Sequence, residues 1–198
     1  MDSEKVEKDD IEKAKKAIEN GGLVIFPTET AYGIAADATN PFAVEKVFAA
    51  KQRPKSKGLT TIVDSLETAE EYGDLSENEK KIIEEFMPGP ITLVARKKQG
   101  LPPTLNEDFV FRVSSGKIAS KLSEVGPITA TSANISGEST SYSIEDISQE
   151  LLEEVDYVLD AGELDASETS SIIEVNNSQI QVHREGPVSK AELEDVIE

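Results

Sequence analysis

Two glycines, Gly21 and Gly22, stand between a helix-spaced apolar stripe and an unbroken apolar run, and this junction constrains the fold more than any other feature of the chain. Upstream, Ile11, Ala14, Ala17 and Ile18 recur at the three- and four-residue spacing of one helical face, with Asp9 or Asp10 placed to cap it. Downstream, Leu23, Val24, Ile25 and Phe26 read as a short buried strand, with the glycines closing the helix. The same order recurs. Asn40-Pro41 is a cap followed by proline at the first helical position, opening a helix that carries Val44, Val47 and Phe48 and is interrupted by Pro54. Ser76 and Glu79 form a capping box for a helix that ends at Met87-Pro88-Gly89-Pro90, a rigid corner before the next strand.

Further strands are predicted over 59–63, 91–95, 109–113, 128–131, 157–159, 172–175 and 180–183. Helices are predicted over 117–123, over 144–155 behind the cap Ser143, and over 191–197 behind the capping box of Ser189 and Glu192. Alternation of this kind specifies an α/β domain, a mixed parallel and antiparallel sheet flanked by helices. At 198 residues the chain suits one domain over 1–198 with an adequate apolar core. Residues 136–143, rich in Ser, Thr and Gly, read as a mobile loop.

Cysteine is absent and His183 is the only histidine, so thiolate and histidine-rich metal sites are excluded and any metal would be held by oxygen. The N-terminal residues are charged and no apolar run has membrane-spanning length, which reads as a soluble cytoplasmic protein. A formal charge of -19 repels polyanions at long range, so direct tRNA binding is expected to be weak or absent. Yet Lys51, Arg53, Lys55 and Lys57 are packed into seven residues, while no Lys or Arg occurs between Lys121 and Arg184. That basic run is either a solvated helix end or a grip for a polyphosphate, for which arginine offers paired bonds and lysine a point charge. It is not a P-loop, because neither G-x-x-x-x-G-K-[ST] nor G-x-G-x-x-G follows a strand.

Other polar clusters fall where predicted strands end: Thr28, Glu29, Thr30 and Tyr32; Arg112 with Ser114 and Ser115; Ser132 and Asn134; Ser170 and Ser171. Ligands of open α/β sheets bind beyond strand ends, so such clusters can converge on one cleft. Each also has a plain structural reading: a turn for Ser132 and Asn134, a snorkelling side chain for Arg112, a turn hydrogen bond for Glu29 in place of a base or magnesium ligand, a strand residue for His183.

Taken in order, PTETAYGIAA (27–36), KQRPKSKGL (51–59), PGPIT (88–92), FRV (111–113), TSANISG (131–137), SSIIE (170–174) and HREG (183–186) resemble the motifs of the YrdC-like threonylcarbamoyl-AMP synthases over about 10–190. The resemblance implies a twisted sheet with a deep ligand cleft, in the short, single-domain form. It implies a nucleotidyltransferase that joins L-threonine, bicarbonate or carbon dioxide, and ATP accompanied by Mg2+, giving threonylcarbamoyl-AMP and pyrophosphate. A tRNA threonylcarbamoyl-transferring machinery would act downstream. Carried onto this chain, Lys51 and Arg53 would be the catalytic pair on the ATP phosphates. Ser132, Asn134 and Arg184 would contact the nucleotide, and Thr28, Tyr32, Arg112 and Ser170 the threonine. On this reading the hydroxyls of Thr28 and Tyr32 are ligand contacts first and turn-formers second. The chain departs from the family pattern at Gly58, where a proline is common before Leu59, and at Lys57, where some relatives carry histidine. Two other readings compete: a non-catalytic RNA-binding module of the same fold, and a carbamoyl-adenylate activity like that of hydrogenase-maturation carbamoyltransferases, whose additional zinc-finger-like segments a cysteine-free chain cannot supply.

Overall fold

The computed structural model describes residues 6–176 and 179–197, which form two mixed β-sheets with helices packed against them. In chain order the elements are α1 (Lys8–Glu19), β1 (Val24–Pro27), β2 (Tyr32–Ala35), α2 (Pro41–Ala50), β3 (Thr61–Val63), α3 (Leu66–Tyr72), β4 (Gly73–Asp74), α4 (Glu77–Phe86), β5 (Ile91–Lys97) and β6 (Phe109–Val113). They continue with α5 (Lys117–Leu122), β7 (Ile128–Thr129), β8 (Thr131–Ser132), α6 (Gln149–Glu153), β9 (Tyr157–Val158), β10 (Ser171–Asn176), β11 (Gln179–Arg184) and α7 (Lys190–Ile197). The smaller sheet has the order β8-β2-β1-β9, the larger β11-β10-β5-β6-β3-β7 with β4 on the side of β5.

The run Leu23-Val24-Ile25-Phe26 is apolar without alternation because both faces of β1 are covered. Successive side chains leave a strand on opposite faces. Leu23 and Ile25 therefore enter the core shared with Val47, Phe48, Phe111 and Ile173, and Val24 and Phe26 enter a second core with Ala14 and Ile18 of α1 and Leu122 of α5. The glycine junction works as expected, with Gly21 in the left-handed region at φ 74. The cap differs. Helix α1 starts after Glu7, so Asp9 and Asp10 lie inside its first turn, where carboxylates favour the positive end of the helix dipole. The Asn40 and Ser76 caps form as read: Asn40 accepts from Phe42 and Ala43 N–H, and Ser76 and Glu79 close a reciprocal box.

Two local expectations fail for tertiary reasons. The single strand at 128–131 is two strands: β7 pairs antiparallel with β3 in the larger sheet, and β8 pairs antiparallel with β2 in the smaller. Ala130, whose N–H donates to Thr60 O at 2.7 Å, is where the chain changes sheets. The helix at 144–155 is also divided. Ser143 caps a 3-10 turn, Ile147 is extended, and Ser148 caps the short α6 by accepting from Leu151 N–H. Residues 136–143 lack regular structure, with 137–140 exposed; Ser141 is buried, donates its hydroxyl to Ala133 O at 2.9 Å and accepts Tyr32 N–H on its carbonyl at 3.0 Å. Strand β2 and helix α3 carry no strong pattern of their own; β2 contains Gly33 and forms by pairing along all of β1. No helix among the described residues is long and apolar enough to cross a membrane.

Candidate active site

Where the chain passes from one sheet to the other, the strand ends diverge around a cleft of about 420 Å3, a volume typical of small-molecule sites. The smaller sheet contributes Tyr32, Gly33, Thr131 and Ser132. The larger contributes Thr92, Arg112, Ile172 and Arg184, with Ser170 just ahead of β10. Arg53 and Lys57 reach in from the loop after α2, and Asn106 from the segment before β6. Of the side chains expected at the site, Thr28, Tyr32, Arg53, Arg112, Ser132, Ser170 and Arg184 meet here although they lie as much as 156 positions apart in sequence. Lys51 and Asn134 do not line the cleft.

The cleft is cationic. Arg53, Lys57, Arg112 and Arg184 line it, and among the described residues no carboxylate does, in a chain of formal charge -19. Such a concentration inside low-dielectric walls focuses a positive potential outward and recruits anions. Two of the arginines are oriented by neutral acceptors. Arg53 donates through Nε to Gly58 O at 2.8 Å and through Nη2 to Lys57 O at 3.1 Å, and Arg184 donates through Nε and Nη2 to Ser170 O at 2.9 and 2.7 Å. A guanidinium has five N–H groups, so each retains donors for a ligand. Burial pushes the pKa of both below the ordinary arginine value, and for Arg184 the charge of Arg112 adds to this.

Arg112 is different. Its guanidinium is bonded to the Glu29 carboxylate, whose other oxygen accepts from Ser114 Oγ at 2.7 Å. Their side chains are 8% and 19% exposed, so this is a buried ion pair joining β6 to the turn between β1 and β2. Burial lowers the Arg112 pKa and Glu29 opposes that shift. Glu29 is thus neither a free base nor a plain turn-former.

The hydroxyls of Thr28 and Tyr32, expected as ligand contacts, also have partners within the fold. Thr28 Oγ1 accepts from Thr30 and Ala31 N–H, both at 3.2 Å, and donates to Ala31 O at 2.7 Å, so the hydroxyl builds the turn. The Tyr32 hydroxyl donates to Gly162 O at 2.8 Å and accepts Ala161 N–H at 2.9 Å, fastening the segment after β9. Its burial pushes the phenol pKa up to about 12. The polar cluster behind β1 is both a rigid hairpin turn and a wall of the cleft. His183 also keeps its structural reading, on the outer side of the β10–β11 hairpin with Nε2 2.9 Å from Glu174.

Lys51, expected on the phosphates, is turned in this structure toward the backbone of the turn at 132–134. It caps the C-terminus of α2, is 1% exposed, and donates its ammonium to Ser132 O and, at 2.6 Å, to Asn134 O. Asn134 in turn accepts from Ser132 Oγ and donates to Glu138 O at 2.7 Å. Both residues brace the turn at 132–134 from behind, so that only Ser132 faces the cleft. Burial and, second, the charge of Arg53 push the Lys51 pKa down to about 7. Below about pH 7 the amine is charged in both folded and unfolded chains, and the full cost of burying the charge is present. Between about 7 and the ordinary lysine value near 10.5 the folded chain has released a proton that the unfolded chain keeps, so stability rises with pH in that window. The melting temperature of the unaltered protein relative to Lys51→Met is therefore expected to rise between pH 7 and 10; a constant difference would contradict the assignment.

Asn106 lines the cleft from outside every sequence motif, and Thr92, the last residue of PGPIT, lines it without a role expected of it individually. An asparagine in a loop and a threonine in a strand carry no local signal of a site.

Comparison with known proteins gives a consistent result. Residues 16–186 match the Sua5/YciO/YrdC family model, which is described as telomere recombination. A Methanocaldococcus jannaschii protein, provisionally named threonylcarbamoyl-AMP synthase, is 40% identical over 91% of this chain and 88% of its own length. The Pyrococcus abyssi threonylcarbamoyl-AMP synthase is 32% identical over 98% of this chain, which spans only 59% of that protein. The crystal structure of P. abyssi Sua5 complexed with L-threonine superposes with a TM-score of 0.87 at 33% identity, covering 94% of this chain and 57% of that one.

Proposed function

The chain belongs to the Sua5/YciO/YrdC family, and from that premise we propose that it is a threonylcarbamoyl-AMP synthase acting at the cationic cleft as a nucleotidyltransferase. The observation that carries this reading is the convergence of Arg53, Lys57, Arg112 and Arg184 with a rim of hydroxyls on one cleft of an otherwise acidic molecule. Arg53, Lys57 and Arg184, none of them paired with a carboxylate among the described residues, suit a polyanionic nucleotide, which enters as its Mg2+ complex. The names of the relatives supply the second substrate class, L-threonine.

In the reaction proposed, the threonine amine, having lost its ammonium proton, attacks the carbon of carbon dioxide, derived from bicarbonate, and releases a second proton to give a carbamate. A carbamate oxygen then attacks the α-phosphorus of ATP. The bond from that phosphorus to the bridging oxygen breaks, and pyrophosphate leaves with the electron pair. Little covalent help is required of the protein. Its contribution is alignment and the neutralisation of charge spreading over the phosphoryl oxygens. We assign Arg53 and Lys57 to the phosphates, Ser132 and Arg184 to the nucleotide, and Arg112 with Ser170 to the threonine carboxylate. Thr28 and Tyr32 shape the threonine end, while Lys51 and Asn134 act through the turn they brace. Transfer of the product to tRNA belongs to separate machinery, and the cytoplasm is where its substrates meet.

The test is release of pyrophosphate from MgATP and bicarbonate with and without L-threonine. Threonine-dependent release, with threonylcarbamoyl-AMP as the adenylate product, is expected. A folded protein that releases none under these conditions would sink the proposal.

A further inference from the structure

We infer that Asn106 is a positioning residue that sets the basic loop, and through it Arg53, against the nucleotide; this rests on the proposed assignment of Arg53 to the phosphates.

Asn106 stands in the irregular segment between β5 and β6, outside every sequence motif described above. Its Oδ1 accepts Leu59 N–H at 3.0 Å, and its Nδ2 donates to Leu59 O. The carboxamide thereby engages donor and acceptor of Leu59 together just before β3 begins, with the Leu59 N–H shared between Asn106 Oδ1 and Leu105 O at 3.1 Å. Asparagine suits this because it carries both groups on one short side chain; aspartate has no donor and leucine has neither. The main chain of Asn106 is held as well, since Lys97 Nζ donates to Asn106 O from the adjacent strand β5.

On the other side of this lock, Gly58 has φ 53 and ψ -175, a conformation essentially confined to glycine. A Cβ there would fall 1.5 Å from Asn106 Oδ1, so the absence of a side chain at Gly58 is what admits the carboxamide. Gly58 O is also the acceptor for Arg53 Nε, and Lys57 O for its Nη2. A continuous path therefore runs from β5 through Asn106 to the Gly58-Leu59 backbone and on to the guanidinium. Arg53 would otherwise be a long side chain on an exposed loop, paying rotamer entropy each time it engaged a phosphate. The lock pre-orients it. Asn106 and Val110 also line both the cleft and a second hollow beside the basic loop, of about 700 Å3, and the Leu105 carbonyl is the other group that holds Leu59 there.

The experiment is equilibrium titration of MgATP, and separately of L-threonine, into the unaltered protein, Asn106→Ala, Arg53→Ala and the double variant. Asn106→Ala is expected to weaken MgATP binding by about ten-fold while threonine affinity stays within about two-fold. In the Arg53→Ala background the same substitution should change MgATP binding by less than about two-fold, because the residue acts through Arg53. Equal losses in both backgrounds, or no loss in the first, would overturn the inference while leaving the synthase reading intact. An unaltered protein that binds no MgATP would overturn both. Should Asn106→Ala fail to fold, Gly58→Ala breaks the lock from the opposite side; a ten-fold loss supports the inference and unchanged binding refutes it.

Discussion

Arg53→Ala is expected to abolish threonine-dependent pyrophosphate release, lowering kcat/KM for ATP by about 100-fold or more, with the melting temperature within a few degrees of the unaltered protein. The magnitude follows from the setting. Removing one preorganised donor from a site where charge develops costs about 10²- to 10³-fold, and a guanidinium supplies paired bonds that no neighbour replaces. Stability is spared because Arg53 is held only by the carbonyls of Gly58 and Lys57, at the end of a loop, and takes part in no ion pair among the described residues. Arg53→Lys should restore part of the activity, since charge survives and the fork does not. Steady-state kinetics of all three proteins decide the matter; an Arg53→Ala enzyme within about five-fold of the unaltered protein would remove the basic loop from the phosphate site.

The second large effect is on stability. Glu29→Ala should destabilise the fold by about 3–5 kcal/mol, because it strands the buried Arg112 guanidinium without its counter-charge. At this chain length about 2–4 °C is lost per kcal/mol, so a fall of roughly 10 °C in melting temperature is expected. Replacing both partners, as in Glu29→Met with Arg112→Met, should recover much of that loss while removing activity, since a well-packed apolar pair avoids the cost of stranding one charge. Thermal melts of the single and double variants provide the check. A Glu29→Ala protein melting within about 2 °C of the unaltered one would show that the pair does not carry the turn between β1 and β2. The pair also bears on the site: Arg112 has for a ligand only the N–H groups that Glu29 does not occupy.

These two cases differ in how far they were legible beforehand. Arg53 stands in a basic cluster unusual for so acidic a chain, and Arg112 in an apolar strand, so both drew notice as residues. The partnership of Arg112 with Glu29 did not, because 83 positions separate them and neither has a local signal of the other. The direction of the Lys51 side chain was not legible for the same reason. That lysine is in the basic run, but the C-terminal turn of α2 aims it inward at the carbonyls of 132 and 134.

The sequence by itself determined those elements whose causes are short-range. The Asn40-Pro41 helix start, the capping box of Ser76 and Glu79, and the apolar strand at 109–113 each depend on residues a few positions apart, and each forms where read. The ordered motifs likewise identified the family, since their sequence content does not depend on which atoms face the cleft. Only the tertiary structure decided that the strand at 128–131 divides at Ala130, that hydroxyls of Thr28 and Tyr32 are spent on backbone, and that Asn106 underlies the basic loop. Caps and periodicity act through neighbouring peptide groups. The direction of a cleft side chain depends on which distant backbone groups need a partner once both sheets have formed.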